Sequence, residues 1–91
     1  MAVPGEHHPA FEEYCETIFE LREDDLDVIQ ARIADRLRVS RPSVSEMIKR
    51  MSDESLIEVA GGKITLTVTG EELVKLPSGE NLRRYLTKPQ K

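Results

Sequence analysis

Phe11, Tyr14, Cys15, Ile18 and Leu21 recur at intervals of three and four, so Pro9 to about Glu23 reads as an amphipathic helix with Pro9 in its first turn. The acidic run Glu23-Asp-Asp-Leu-Asp27 closes it. Asp27 followed by Gln30 has the form of a capping box, which predicts a second helix over Val28 to Leu37 burying Ile29, Ile33 and Leu37. After a turn at Arg38 to Arg41, Ser40 is placed to cap a third helix. Pro42 is tolerated in its first turn, Val44, Met47, Ile48 and Met51 form its apolar stripe, and the helix is expected to end near Ser55.

Beyond Leu56 the period changes from helical to alternating. Ile57 and Val59 precede Gly61-Gly62, and Ile64, Leu66 and Val68 follow it, which predicts a hairpin turning on the two glycines. Thr69 and Glu72 suggest another capping box, opening a short helix from Gly70 to Leu76 that stops before Pro77. The predicted fold class is therefore mainly α with a small β-hairpin, a winged helix-turn-helix. Residues 1–8 read as a flexible N-terminal segment, 9–76 as the domain and 77–91 as a C-terminal tail. In that tail Leu82, Tyr85 and Leu86 are the only apolar group able to fold back on the core.

At 91 residues the chain holds one small domain with no room for a second, catalytic one. No apolar stretch approaches the roughly 18 residues that span a bilayer, and the first residues lack the basic and apolar regions of a signal peptide. A cytoplasmic location with no membrane partner is the expectation. The single cysteine, Cys15, has no internal disulfide partner, which fits a reducing compartment. The overall charge of -4 conceals an asymmetry. Residues 1–27 carry nine acids and one base, whereas residues 28–51 carry six bases (Arg32, Arg36, Arg38, Arg41, Lys49 and Arg50) against Asp35 and Glu46. Positive charge is concentrated on the helix pair, as an electrostatic footprint for nucleic acid would require.

With a recognition helix at about 41–54 in the major groove, Ser40, Arg41, Ser43, Ser45 and Glu46 project from its first turns, and Lys49 and Arg50 lie a turn later near the backbone. Hydroxyls can read base edges or bind phosphate, Arg41 suits guanine, Glu46 can accept from cytosine N4, and Pro42 can touch a thymine methyl. Gln30 and Ala31 at the start of the preceding helix are placed to meet a phosphate through their amides and the helix dipole. The hairpin over 57–68 would act as a wing, with Lys63 at its tip on a flanking phosphate. Taken singly, each residue also fits a cap or a solvated side chain; the arrangement is more specific than its parts.

From about Glu12 to Gly70 the chain resembles the iron- and manganese-dependent repressors of the diphtheria toxin repressor and manganese transport regulator type. The resemblance rests on Glu13-Tyr-Cys-Glu-Thr-Ile-Phe-Glu-Leu21, Ala31-Arg-Ile-Ala-Asp-Arg-Leu37, Ser43-Val-Ser45 and Leu66-Thr-Val-Thr-Gly70. It implies a metal-activated dimeric regulator whose Ser40 to Ser45 stretch reads double-stranded operator DNA, with Glu46 where family members often carry glutamine. It also implies Mn²⁺ or Fe²⁺ as cofactor, with Glu13 at the position of the one ligand from the first helix. The family's other ligands and its dimerisation helices follow the wing. The only histidines here are His7 and His8, so the usual cage is not expected to assemble, as in a truncated or divergent member or a DNA-binding fragment. A substitute cluster of His8, Glu12 and Cys15 or Glu16 has helical spacing, against which stands an acidic solvated face with Cys15 in the core.

The expected function is sequence-specific DNA binding as a transcriptional repressor, with a homodimer implied and no small-molecule substrate. The alternative is a winged-helix protein-interaction module, or a truncated antagonist that dimerises with a full-length relative, suggested by the acidic first 27 residues. An enzyme is not expected. No nucleophile stands beside a base, and there is no glycine-rich phosphate loop or paired carboxylate cleft.

Overall fold

The structure, a computed structural model, describes residues 9–87. Helices α1 (Pro9–Glu23), α2 (Gln30–Leu37) and α3 (Arg41–Asp53) are followed by strands β1 (Ile57–Ala60) and β2 (Lys63–Leu66), a single turn α4 (Val68–Glu71) and a short α5 (Leu82–Leu86). The apolar stripe of α1 is buried as its spacing predicts. Phe11, Tyr14, Cys15, Ile18 and Leu21 meet Ile33 and Ala34 of α2, Val44, Ile48 and Met51 of α3, and Leu56, Ile57 and Ile64 around the hairpin. This is a winged helix-turn-helix.

The hairpin is antiparallel, pairing Ile57 with Leu66, Glu58 with Thr65, Val59 with Ile64 and Ala60 with Lys63. Gly61 and Gly62 take φ of 58° and 80°, the left-handed pair that a two-residue turn needs to match strand twist. Ile57 and Ile64 are buried, but Val59 is 45% exposed because the hairpin projects past the helices as a wing. The amide of Ile64 donates to the carbonyl of Val28 at 2.8 Å, so the stretch before α2 lies alongside β2.

That contact corrects the expected start of α2. Val28 is buried ahead of the helix, Ile29 is the extended N-cap with no side-chain cap, and the helix begins at Gln30. Asp27 is not a cap; its carboxylate lies 3.5 Å from the Lys63 ammonium on the wing. Leu37, expected in the core, is only partly buried at the helix end. There Arg38 closes α2 in the left-handed region at φ 58°, with the Val39 amide donating back to the Ala34 carbonyl.

The second expected capping box is also displaced. Thr67, not Thr69, caps α4, its hydroxyl oxygen accepting from the Gly70 amide, and Val68 belongs to that turn rather than to β2. The same Thr67 hydroxyl donates to the Ser55 carbonyl at 2.6 Å, and its amide to the Leu56 carbonyl at 3.0 Å. One residue thereby joins the end of α3 to the end of the wing. The expected helix from Gly70 to Leu76 is the single turn α4 followed by irregular chain.

Residues 77–87, set apart by sequence as part of a tail, continue the fold. Leu82 is fully buried with Val74, and its amide donates to the Val74 carbonyl at 2.7 Å. Asn81 caps α5 and directs its side-chain amide to the carbonyls of Glu72 and Val74. Glu71 receives Arg83 at 3.5 Å and Arg22 at 3.9 Å, linking α5, α4 and α1. Tyr85 and Leu86 remain exposed. Residues 1–8, with His7 and His8, and residues 88–91 lie outside the described residues. No helix among the described residues is long and apolar enough to cross a membrane.

Candidate nucleic-acid interface

The second and third helices pack through Ile33, Ala34, Val44 and Ile48, which leaves the opposite faces in solvent. The start of α3 is built by Ser40. Its hydroxyl oxygen accepts from the Ser43 amide at 3.2 Å, and Pro42 sits where the missing N–H carries no penalty. Arg41, Pro42, Ser43, Ser45, Glu46, Lys49 and Arg50 are all exposed, whereas Val44, Ile48 and Met51 are buried. Ser43, Glu46 and Arg50 line one open hollow with Met47, as positions three and four apart on a helix should. Met47, read from sequence as core, is only partly buried and lines this hollow. Its apolar spacing concealed that placement.

Charge on this surface is available to a ligand. Of the six bases in residues 28–51, only Arg36 is ion-paired among the described residues, to Asp24 at 3.2 Å and Glu20 at 3.5 Å. Arg32, Arg38, Arg41, Lys49 and Arg50 face no carboxylate of the described residues within ion-pair distance. Arg36 fastens α2 to α1, and the other five bases are exposed. Arg32, Arg38 and the 39% exposed Val39 were not singled out by sequence, although the charge count included both arginines.

At the start of α2, Gln30 and Ala31 are half-buried, and among the described residues no acceptor takes their amides. The absent side-chain cap leaves these N–H groups, with the positive end of the helix dipole, open to an anion. Lys63 stands on the wing beside the turn, loosely paired with Asp27 where both side chains are 65% exposed. Such a pair is weak in water and can be exchanged for a phosphate.

The metal expectation meets a different geometry. Among the described residues no group of three or more His, Cys, Asp and Glu side chains could hold a metal ion. Glu13 is exposed on α1 and has no such company, and His8 of the substitute cluster lies outside the described residues. Cys15 is fully buried. Burial first, then the carboxylates of Glu12 and Glu16, push its thiol from 9.0 up to about 12, so the thiolate a metal prefers is disfavoured. Glu16 is also raised, by burial and then by Glu20, Glu12 and Glu13, as on a mutually repelling acidic face. The described residues do not by themselves form a metal centre.

The raised thiol has a consequence for stability. A group held neutral by folding contributes fully below its unfolded value and loses that contribution as pH rises toward the folded one. Denaturant midpoints are therefore expected to fall between pH 9.0 and about 12. Cys15→Ala should be less stable by about 1 kcal/mol from the small cavity, yet show a shallower alkaline slope. The slope that persists would belong to Tyr14, whose hydroxyl is raised by burial and then by Glu13. An unchanged slope in Cys15→Ala would remove the thiol from this account.

Comparison with known proteins agrees with this geometry. Residues 8–63 match the iron dependent repressor N-terminal DNA binding domain. Over 63 residues, 68% of this chain, the sequence is 40% identical to the iron-dependent repressor IdeR of Mycobacterium leprae and 41% identical to the diphtheria toxin repressor of Corynebacterium diphtheriae. The matched stretch spans 27% and 28% of those two repressors, about a quarter of their length. The structure of the manganese regulator SloR superposes with a TM-score of 0.63 at 35% identity, covering 74% of this chain and 32% of that one. The family is one of DNA-binding repressors rather than enzymes. With the winged helix, the exposed face of α3 and these similarities in agreement, the chain belongs to the iron-dependent repressor family and carries its N-terminal DNA-binding domain.

Proposed function

We propose that this domain reads operator DNA for a metal-dependent transcriptional repressor, with α3 in the major groove and the β1–β2 hairpin as a wing over the flanking backbone. The observation that carries this reading is the combination of exposed Arg41, Lys49 and Arg50, without an ion pair among the described residues, with the exposed Ser43 and Glu46 on α3. A helix offering cations toward phosphates and short polar groups toward base edges is equipped for both parts of recognition. Ser45 adds a further hydroxyl, Pro42 an apolar contact for a thymine methyl, and Glu46 an acceptor for cytosine N4. The open amides of Gln30 and Ala31 and the ammonium of Lys63 suit phosphates on either side. A second copy on a symmetry-related half-site, about one helical turn away, would give a homodimer on an inverted repeat.

The names of the relatives point to iron or manganese as the controlling ion. Glu13 is the position at which α1 would contribute, but the described residues supply no cage, so DNA reading is proposed without a metal step. Selection of bound duplexes from random DNA, with and without Mn²⁺, tests the reading. A recovered motif whose affinity falls steeply with salt is expected. Glu46→Gln should move preference at one position from cytosine toward adenine. Failure to enrich any motif, or binding indifferent to salt, would defeat the proposal and leave protein interaction as the role of the fold.

A further inference from the structure

Lys63 is the single cation of the hairpin from Ile57 to Leu66, and Glu58 is its single acid. In the free protein that cation is already engaged. The Asp27 carboxylate lies 3.5 Å from its ammonium, with both side chains 65% exposed. Among the described residues Asp27 has no other ion pair or hydrogen bond. It does not cap α2, whose N-cap is Ile29 with no side-chain bond. Nor does the wing depend on it for position. One residue along from Asp27 and Lys63, the Ile64 amide donates to the Val28 carbonyl at 2.8 Å, and Ile57 and Ile64 are buried. The hairpin is anchored by backbone and apolar contacts, which leaves the Asp27 carboxylate one partner, the ammonium of the wing.

From this arrangement we propose that Asp27 is an internal stand-in for a DNA phosphate: it occupies Lys63 in the free protein and is exchanged for a phosphate when the wing docks, which holds affinity down. The inference rests on the DNA-binding reading above and adds the residue that limits it. An exposed pair is weak enough to exchange, yet giving it up costs a factor of about two in affinity. Repulsion adds to that cost. A phosphate on Lys63 stands within about 7 Å of the Asp27 carboxylate, inside the Debye length at physiological salt, which costs another factor of about two. A carboxylate that instead aimed Lys63 at the backbone would have to restrain it, and one contact between two largely exposed side chains offers little restraint. Contacts to phosphate carry no sequence information, so Asp27 lowers binding to every duplex alike and leaves base reading to α3.

The test is a double-mutant cycle on the full chain. Wild type, Asp27→Asn, Lys63→Ala and the double variant are titrated by fluorescence anisotropy against the selected duplex and a scrambled one. Thermal midpoints within a few degrees of wild type are expected for all three variants, because the pair is exposed. Asp27→Asn should bind both duplexes about fourfold more tightly than wild type, but only about twofold more tightly in the Lys63→Ala background, where repulsion remains and exchange does not. Lys63→Ala should correspondingly cost more in the Asp27→Asn background than in wild type. The gain should shrink as salt is raised. An equal gain with and without Lys63 would mean that loss of any acid helps, and overturns the exchange. Weaker binding by Asp27→Asn would mean that the carboxylate aims Lys63, and overturns it as well, as does a Lys63→Ala change without effect in either background. Absence of salt-sensitive binding in all four proteins would instead defeat the DNA-binding reading, and the inference with it.

Discussion

Gly70→Ala is expected to lower the stability of the domain by about 3 kcal/mol, a large part of what a chain of this size possesses. A Cβ at Gly70 would stand 2.1 Å from the Leu56 carbonyl oxygen and 3.1 Å from both the Leu56 carbonyl carbon and Leu66 Cδ2. The obstacle is backbone, which cannot swing aside as a side-chain end could. The Leu56 carbonyl is itself held by the Thr67 amide, so displacing it strains the link between the end of α3 and the end of the wing. Helix propensity acts the other way, since alanine in place of glycine in a helix gains at most about 1 kcal/mol. The clash wins. Thermal denaturation should show a fall in midpoint of about 10–20 °C. Gly61, with φ 58° and open space around it, is the internal contrast; Gly61→Asn keeps the left-handed conformation and should be nearly neutral. A Gly70→Ala protein as stable as wild type would mean that the Leu56 to Gly70 approach does not hold the wing.

The second large effect concerns binding. Arg41 and Arg50 stand near the two ends of α3, exposed and unpaired with any carboxylate among the described residues, so neither contributes measurably to the fold. The double substitution Arg41→Ala with Arg50→Ala should leave the thermal midpoint within a few degrees of wild type. Duplex affinity should nevertheless fall by roughly 30-fold, corresponding to about 1 kcal/mol for each charged contact. The dependence of affinity on salt should flatten by nearly 2 in the log–log slope, because two fewer counterions are released. Fluorescence anisotropy at several salt concentrations measures both quantities. Binding and slope unchanged in the double variant would rule out the proposed docking of α3.

Much of this architecture is legible in the chain because its periods are clean. The stripe from Phe11 to Leu21 and that from Val44 to Met51 are buried where their spacing puts them. Ser40 caps the helix that its position before Arg41-Pro42 announces, and Gly61-Gly62 turns the hairpin. The misplacements fall where a local signal met a tertiary competitor. Asp27 has the spacing of a cap, but the stretch before α2 is drawn alongside β2 by the Val28 carbonyl, and the carboxylate goes to Lys63 instead. Thr69 has the spacing of a cap as well, yet Thr67 takes the role because it alone also reaches Ser55.

The amino-acid sequence by itself determined the three helices, the glycine hairpin, the basic stretch from Arg32 to Arg50 and the resemblance that the comparisons then confirmed, since all of these are periodicities and local spacings. Tertiary structure decided which of those charges and hydroxyls are available. It joined Arg36 to Glu20 and Asp24 while leaving the other five bases without an ion pair among the described residues, and it buried Cys15 beyond easy ionisation. It also drew Leu82 into the core and brought Gly70 against Leu56. The physical reason is that helix and turn preferences act over four or five residues, whereas burial, the pairing of Arg36 and the space for a methyl group at Gly70 depend on chain segments that only the fold brings together.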